Sequence, residues 1–223
     1  MIELLSIHIP KTAGTSFYQI LQQVYGQALS ISFKRRDYKA LVQKYGRLEN
    51  GISHDLRVLH GHFYYQELQD FQQSHQIPTI CWLRDPVQRV VSNYRFFKQG
   101  LRNPLRNPRN YEINKHRVEE SLLTYAAIPE NQNRMVSFLE GISLEELFFV
   151  GIQEHFKEDV QRLAQLLDWP KVQIPYLNRS ESDHSLPEAI PADWLAKIRS
   201  WNAADVRLYE AAMALRLSHQ KSS

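Results

Sequence analysis

Residues 10–16 read "PKTAGTS" and follow directly on an apolar run from Ile2 to Ile9. A lysine, small residues and three hydroxyls, placed where a strand gives way to a helix, are the components of an anion cradle. Successive backbone amides in a tight turn at a helix N-terminus point together at a bound anion. Gly14 is expected to let the backbone turn tightly, and Ala13 to keep side-chain bulk away from a ligand. Thr12, Thr15 and Ser16 add hydroxyl donors, and Lys11 adds a positive charge. The order argues against the nucleoside-triphosphate version of this loop, which carries its lysine after the second glycine, where Thr15 stands here. Asp85, in "TICWLRDP", is better used as a helix cap than as a metal ligand, which also disfavours magnesium-dependent ATP chemistry.

A second cluster lies in "RDPVQRVVSNY". Arg84 leaves the C-terminal end of an apolar strand, where α/β sheets bind ligands. Arg89 and Ser92 are three residues apart and share a helix face, and a guanidinium beside a hydroxyl suits a phosphate monoester. Two phosphate-seeking clusters imply a ligand with phosphates at two separated places. Further on, "HGH" puts His60 and His62 on the same side of a strand end, in reach of one substrate. A histidine titrating near ~6.5 suits proton abstraction at neutral pH. No Cys or carboxylate stands at a spacing that would make the pair a metal site, so none is expected. His8, just before the loop, and Gln19, one turn into the first helix, are candidates to face an acceptor.

The elements that must hold these residues follow from periodicity. The first strand and loop lead into a helix over 16–26, with Phe17, Ile20, Leu21 and Val24 on one face and Gly26 to close it. A second helix is expected over 36–46, a second strand over 56–63 and a third helix over 66–75. The run "IPTICWL" is apolar throughout, as a central parallel strand requires. It ends at "RDP", where Asp85 can cap and Pro86 begin a helix over 87–97, with Gln88 returning the cap. Residues 98–117 look like a long basic surface loop, mobile or ligand-facing, in which Arg102, Arg106 and Arg109 are candidates to meet an acidic group. Helices follow near 117–128 and 131–141, then a strand over 147–152, a helix over 154–169, a polar loop over 178–191 and one last long helix from about Asp193. The expected fold class is α/β: a P-loop-like three-layer fold, with a central mostly parallel sheet flanked by helices.

The 223 residues suit a single domain over 1–223. With 43% hydrophobic and 23% charged residues the chain can pack a core, and a net charge of +3 is too small to argue for nucleic-acid binding. The lone cysteine, Cys81, excludes an internal disulfide and reads as a buried thiol. Tyr94, Trp169 and Trp201 read as core. No apolar stretch approaches the ~20 residues of a membrane span, and the first residues lack the pattern of a signal peptide. A soluble, cytoplasmic protein is expected.

"PKTAGTS" resembles the 5′-phosphosulfate loop of sulfotransferases, and "RDPVQRVVSNY" resembles their 3′-phosphate motif. The resemblance implies 3′-phosphoadenosine 5′-phosphosulfate (PAPS) as donor and adenosine 3′,5′-bisphosphate as product, with no metal. Lys11, Thr12, Ala13, Gly14, Thr15 and Ser16 would hold the 5′ end, and Arg84 and Ser92 the 3′-phosphate. The stretches "LHGHFYY", "NQNRMVSFLEG" and "FFVGIQEHFKEDVQRL" resemble the carbohydrate branch that includes heparan sulfate 2-O-sulfotransferase and its bacterial relatives, over about residues 6–168. That branch implies His62 as the base, with His60 orienting substrate or tuning it, and a hydroxyl of a carbohydrate or glycolipid as acceptor. It leaves a homo-oligomer open and assigns no role to Asn131 or Arg134. Arg179 and Ser180 match a loop that covers the nucleotide in relatives. Animal members are Golgi proteins with a membrane segment, so the expectation is a bacterial enzyme unless the chain is a truncated Golgi one. The alternatives are an ATP-using phosphotransferase and a non-catalytic nucleotide- or glycan-binding relative.

Overall fold

Four short runs of buried residues form the sheet of this computed structural model: β1 (Leu4–Ile7), β2 (Val58–Gly61), β3 (Thr79–Leu83) and β4 (Phe149–Ile152). All pairings are parallel and the order is β2-β1-β3-β4, with Ile7 opposite Gly61 on one side and Cys81 on the other. The structure describes residues 1–30, 32–106, 108–174 and 190–221. Ten helices accompany the strands among these residues: α1 (Gly14–Tyr25), α2 (Arg35–Tyr45), α3 (Tyr65–His75), α4 (Pro86–Arg102), α5 (Pro108–Asn114), α6 (Leu122–Ala127), α7 (Arg134–Phe138), α8 (Phe156–Leu166), α9 (Ala192–Trp201) and α10 (Ala203–Lys221).

Strand alternation divides the core between two faces. Leu4, Val58, Ile80 and Trp82 pack on Phe17, Ile20 and Leu21 of α1 and on Phe156, Val160 and Leu163 of α8. Their neighbours in sequence point the other way. Leu5 and Leu59 meet Leu68 and Phe71 of α3, while Cys81 and Leu83 meet Met135, Phe138 and Ala212 from α7 and α10. Each such fully buried side chain contributes about 1.5–3 kcal/mol, so both faces must stay covered. The result is the expected three-layer α/β architecture. A separate apolar cluster joins α4, α6 and α9 through Val90, Val91, Leu122, Ala126 and Ile198.

Several local expectations are met. Gly26 ends α1 in a positive-φ conformation (51°), and Asp85 accepts a hydrogen bond from the Gln88 N–H (2.9 Å) at the start of α4. Cys81 is a buried free thiol, pushed up to about 12 by burial. Trp169, Trp201 and Tyr94 pack against the apolar clusters. Other expectations are corrected. Gln88 does not return the cap, because the Asp85 N–H donates instead to Glu154 Oε1 (3.0 Å), from the turn that follows the neighbouring strand β4. The basic stretch is no open loop. α4 continues to Arg102, α5 follows, and single 3-10 turns cover Pro104–Arg106 and Lys115–Arg117. The last helix is two, α9 and α10, broken at a buried Asn202. The helices expected over 117–128 and 131–141 shrink to the single or double turns of α6 and α7.

Candidate active site

The strand order changes direction between β1 and β3, and in open parallel sheets ligands bind beyond the strand ends at that switch. Both phosphate-seeking clusters emerge there. After β1 the backbone of Lys11 (φ 72°) and Ala13 (φ 68°) is left-handed, and α1 begins at Gly14 with no side-chain cap and no acidic residue in its first turn. The Phe17 N–H already bonds the Ala13 carbonyl (2.9 Å), which leaves the amides of residues 14–16 as the open end of the helix. Alternating left-handed residues before an uncapped helix make an anion nest.

The glycine serves a different purpose from the one expected. Gly14 has no positive φ, so the turn does not need it, but a Cβ at residue 14 would fall inside the imidazole of His8. Its role is close packing. Thr12 is buried and its hydroxyl donates to the Ile9 carbonyl (2.9 Å), closing the loop from within. Ser16 is buried at the first turn, and Thr15 and Gln19 are exposed. The Lys11 ammonium lies over the ring of Phe96, 4.6 Å from its centroid. Arg84 reaches across the switch and donates from Nη1 to the Lys11 carbonyl (3.3 Å), so the two clusters are physically joined. Ser92 is half-buried two turns into α4. Arg89 does not join Ser92 at a ligand. It is 1% exposed and turned inward, with Nη2 on the Asn131 carbonyl (2.8 Å) and Nε 3.8 Å from Asp205.

Three histidines stack beside the loop. The His8 ring lies 5.0 Å from that of His60 and 4.2 Å from that of His62, centroid to centroid. His60 is fully buried, with Nδ1 on Ser6 Oγ (2.9 Å) and Nε2 without a hydrogen-bond partner. Burial, with His62 adding to it, pulls its pKa down to about 3. It is therefore neutral at pH 7 and closed off from solvent. Burial also holds His8 well below the usual range, and its Nδ1 is an orphan too. His62 is half-buried, and its Nδ1 lies 2.7 Å from the His8 carbonyl. A carbonyl only accepts, so Nδ1 carries the proton and Nε2 bears the lone pair. Burial lowers the His62 pKa, the bond to His8 opposes that, and Lys34 and Arg134 lower it further. This imidazole is therefore neutral at pH 7 with a fixed tautomer. Among the described residues no group of three or more His, Cys, Asp or Glu is arranged to hold a metal ion.

Residues not anticipated as a group surround this centre. Arg35 sits over the ring of Tyr64 (3.8 Å) and is paired with Glu67 (2.9 Å), while Arg134 flanks the same ring (5.8 Å) and, with Lys34, acts electrostatically on His62. The stretch containing Asn131 and Arg134 forms a junction with α10. Asn133 Oδ1 accepts from the N–H groups of Ala204 and Asp205 (3.0 and 3.1 Å), capping α10. In return the Asp205 carboxylate accepts from Met135 and Val136 (3.2 and 2.9 Å), capping α7. Asn202 Oδ1 closes the set on the Asn133 N–H (2.9 Å). Each of these residues has cap chemistry legible in sequence, but their reciprocity spans about seventy positions and has no local signal. Arg179 and Ser180 lie outside the described residues, as does most of the polar loop 178–191.

A family model described as the sulfotransferase family matches residues 2–210. No curated protein matches the chain. Among solved structures, the chain is similar to a sulfotransferase from Alicyclobacillus acidocaldarius at 17% identity and a TM-score of 0.52, covering 95% of each chain. It is also similar to mouse sulfotransferase SULT7A1 complexed with PAP, at 11% identity and a TM-score of 0.51, over all of this chain and 89% of the other. At these identities the shared feature is the fold.

Proposed function

The chain belongs to the sulfotransferase family, an enzyme family of sulfuryl transfer, and from that premise we propose that it moves the sulfuryl group of PAPS to a hydroxyl of a carbohydrate or glycoconjugate. The observation that carries this reading is the bond from His62 Nδ1 to the His8 carbonyl (2.7 Å), which ties a base of fixed tautomer to the residue that opens the phosphate loop. His62 Nε2 takes the proton of the acceptor hydroxyl as that oxygen bonds to sulfur. The bond from sulfur to the 5′-phosphate oxygen breaks in line, and adenosine 3′,5′-bisphosphate leaves.

Charge grows on that oxygen, at the loop. The open amides of residues 14–16 and the Lys11 ammonium are the donors available to it, once Lys11 swings off Phe96. Losing one such donor costs about 3 kcal/mol in the barrier, so Lys11→Ala should lose roughly a hundredfold or more in turnover. Arg84 and Ser92 are assigned to the 3′-phosphate and His60 to supporting His62. His8 and Gln19 stay as acceptor-side candidates. Lys34 and Arg134, the cations that act on His62, favour an acceptor bearing an acid group near the reacting hydroxyl.

Calorimetric titration with adenosine 3′,5′-bisphosphate, beside ATP with magnesium, tests the donor class. Micromolar or tighter binding of the bisphosphate alone is expected. Binding of ATP with magnesium instead, or of neither, would overturn the assignment.

A further inference from the structure

The basic stretch after the second cluster is an ordered projection with an unusual surface. Its neck is closed: Tyr94 donates its hydroxyl to the Glu120 carbonyl (2.7 Å), and the Lys98 ammonium bonds the carbonyls of Val118 and Glu120. Within it, α5 is held by Asn114 Nδ2 on the Asn110 carbonyl (3.0 Å). Residues 95–116 contain six Lys or Arg and one Glu, a net +5, while the whole chain carries +3; everything else therefore sums to −2. The same segment displays large apolar side chains to solvent. Leu105 is 90% exposed, Ile113 60% and Phe96 49%, with Val118 at 42% just beyond the neck. These are four of the nine large exposed apolar residues described for the chain, so the concentration is local.

Positive charge and exposed aliphatic side chains on one projection are the two ingredients of interfacial lipid binding: headgroups are attracted, and the apolar groups enter the acyl boundary. A nucleic acid would be served by aromatic stacking and phosphate contacts, and Leu105 and Ile113 offer neither. We propose that the projection between Phe96 and Val118 is a docking surface for an anionic lipid bilayer. Phe96 carries the Lys11 ammonium on its ring, so the docked surface borders the phosphate loop and turns the site toward lipid-borne acceptors. Docking itself does not depend on the donor or acceptor proposed above.

Flotation of the purified protein with phosphatidylcholine vesicles and with phosphatidylglycerol-rich vesicles tests this without any activity measurement. Partition into the anionic vesicles should exceed that into the neutral ones by about tenfold or more, and should weaken with salt. The double variant Leu105→Asp, Ile113→Asp should lose about tenfold while keeping the wild-type melting temperature and bisphosphate affinity. Arg102→Gln with Arg109→Gln, both exposed, should lower partition at low salt by a similar factor. Equal partition into both vesicles, or into neither, would overturn the proposal. So would undiminished anionic-vesicle binding by either double variant, and binding of a mixed-sequence oligonucleotide as tight as that of the vesicles.

Discussion

His60 and Asn202 are both buried in the interior, and the protein treats them in opposite ways. Around Asn202 the side chains of Asn133 and Asp205 have their amide and carboxylate groups saturated, each capping the helix that the other begins. In the histidine stack, His60 Nε2 and His8 Nδ1 are buried with no partner. An unpaired buried polar atom costs about 1–3 kcal/mol, and a fold keeps such groups where they serve something besides stability. The junction satisfies its polar groups, whereas the stack keeps two imidazoles buried, neutral and partly unpaired beside His62. Arg89 shows the limit of the contrast, since it belongs to the junction yet leaves Nε and Nη1 without hydrogen bonds beside Asp205.

The sharpest way to break this contrast is His62→Ala. Turnover should fall by about 10²–10⁴, the worth of a general base, with nucleotide binding retained. Retained turnover would move the base elsewhere. On the junction side, Asp205→Ala should cost about 3–5 kcal/mol in chemical denaturation, because it strands the buried Arg89 and uncaps α7. Turnover per folded molecule should be unchanged, and a purely catalytic loss would mean that the two regions are one.

The two arginines of "RDPVQRVV" give a finer test. Arg84→Ala should weaken adenosine 3′,5′-bisphosphate binding about tenfold to a hundredfold and adenosine 5′-monophosphate binding far less, as expected for loss of a charged hydrogen bond to one phosphate. Arg89→Met should shift the melting curve and leave the ratio of the two affinities alone. Equal losses for both nucleotides in Arg84→Ala would refute its assignment.

The smallest effect is on pH. Burial lowers the folded pKa of His8, His60 and His62, so above the unfolded value of 6.5 all three are neutral in both states and their contribution is complete. As pH falls below 6.5 the unfolded chain takes up protons that the folded one refuses. Stability then declines by up to about 1.4 kcal/mol per pH unit for each histidine, continuing for His60 toward about 3. Urea midpoints measured from pH 7.5 to 5 should fall in the wild type and fall less in His60→Gln. Parallel slopes would remove the stack from the acid sensitivity.

Much of the fold was legible because its rules are local. The unbroken apolar run "IPTICWL" announced a strand covered on both faces, and "RDP" announced the start of α4. The basic segment was misread because its Pro and Asn residues break helical periodicity, although hydrogen bonds at the neck, 20 to 26 positions apart, order it. Gly14 was assigned the right place for the wrong reason, since its neighbour across the turn is the His8 ring and no spacing rule encodes that contact.

By itself the sequence determined that a loop of lysine, small residues and hydroxyls follows the first strand, that a second basic cluster follows the third, and that two histidines share a strand end. Each depends on residue type, order and a period of two or 3.6, all properties of a few neighbouring residues. Only the tertiary structure decided which arginine meets the loop and which is buried, and which imidazole nitrogen is free to take a proton. Those outcomes depend on partners 42 to 73 positions away, brought together by the parallel crossovers of the sheet. A hydrogen bond's acceptor and a group's burial are fixed by that juxtaposition and by nothing local.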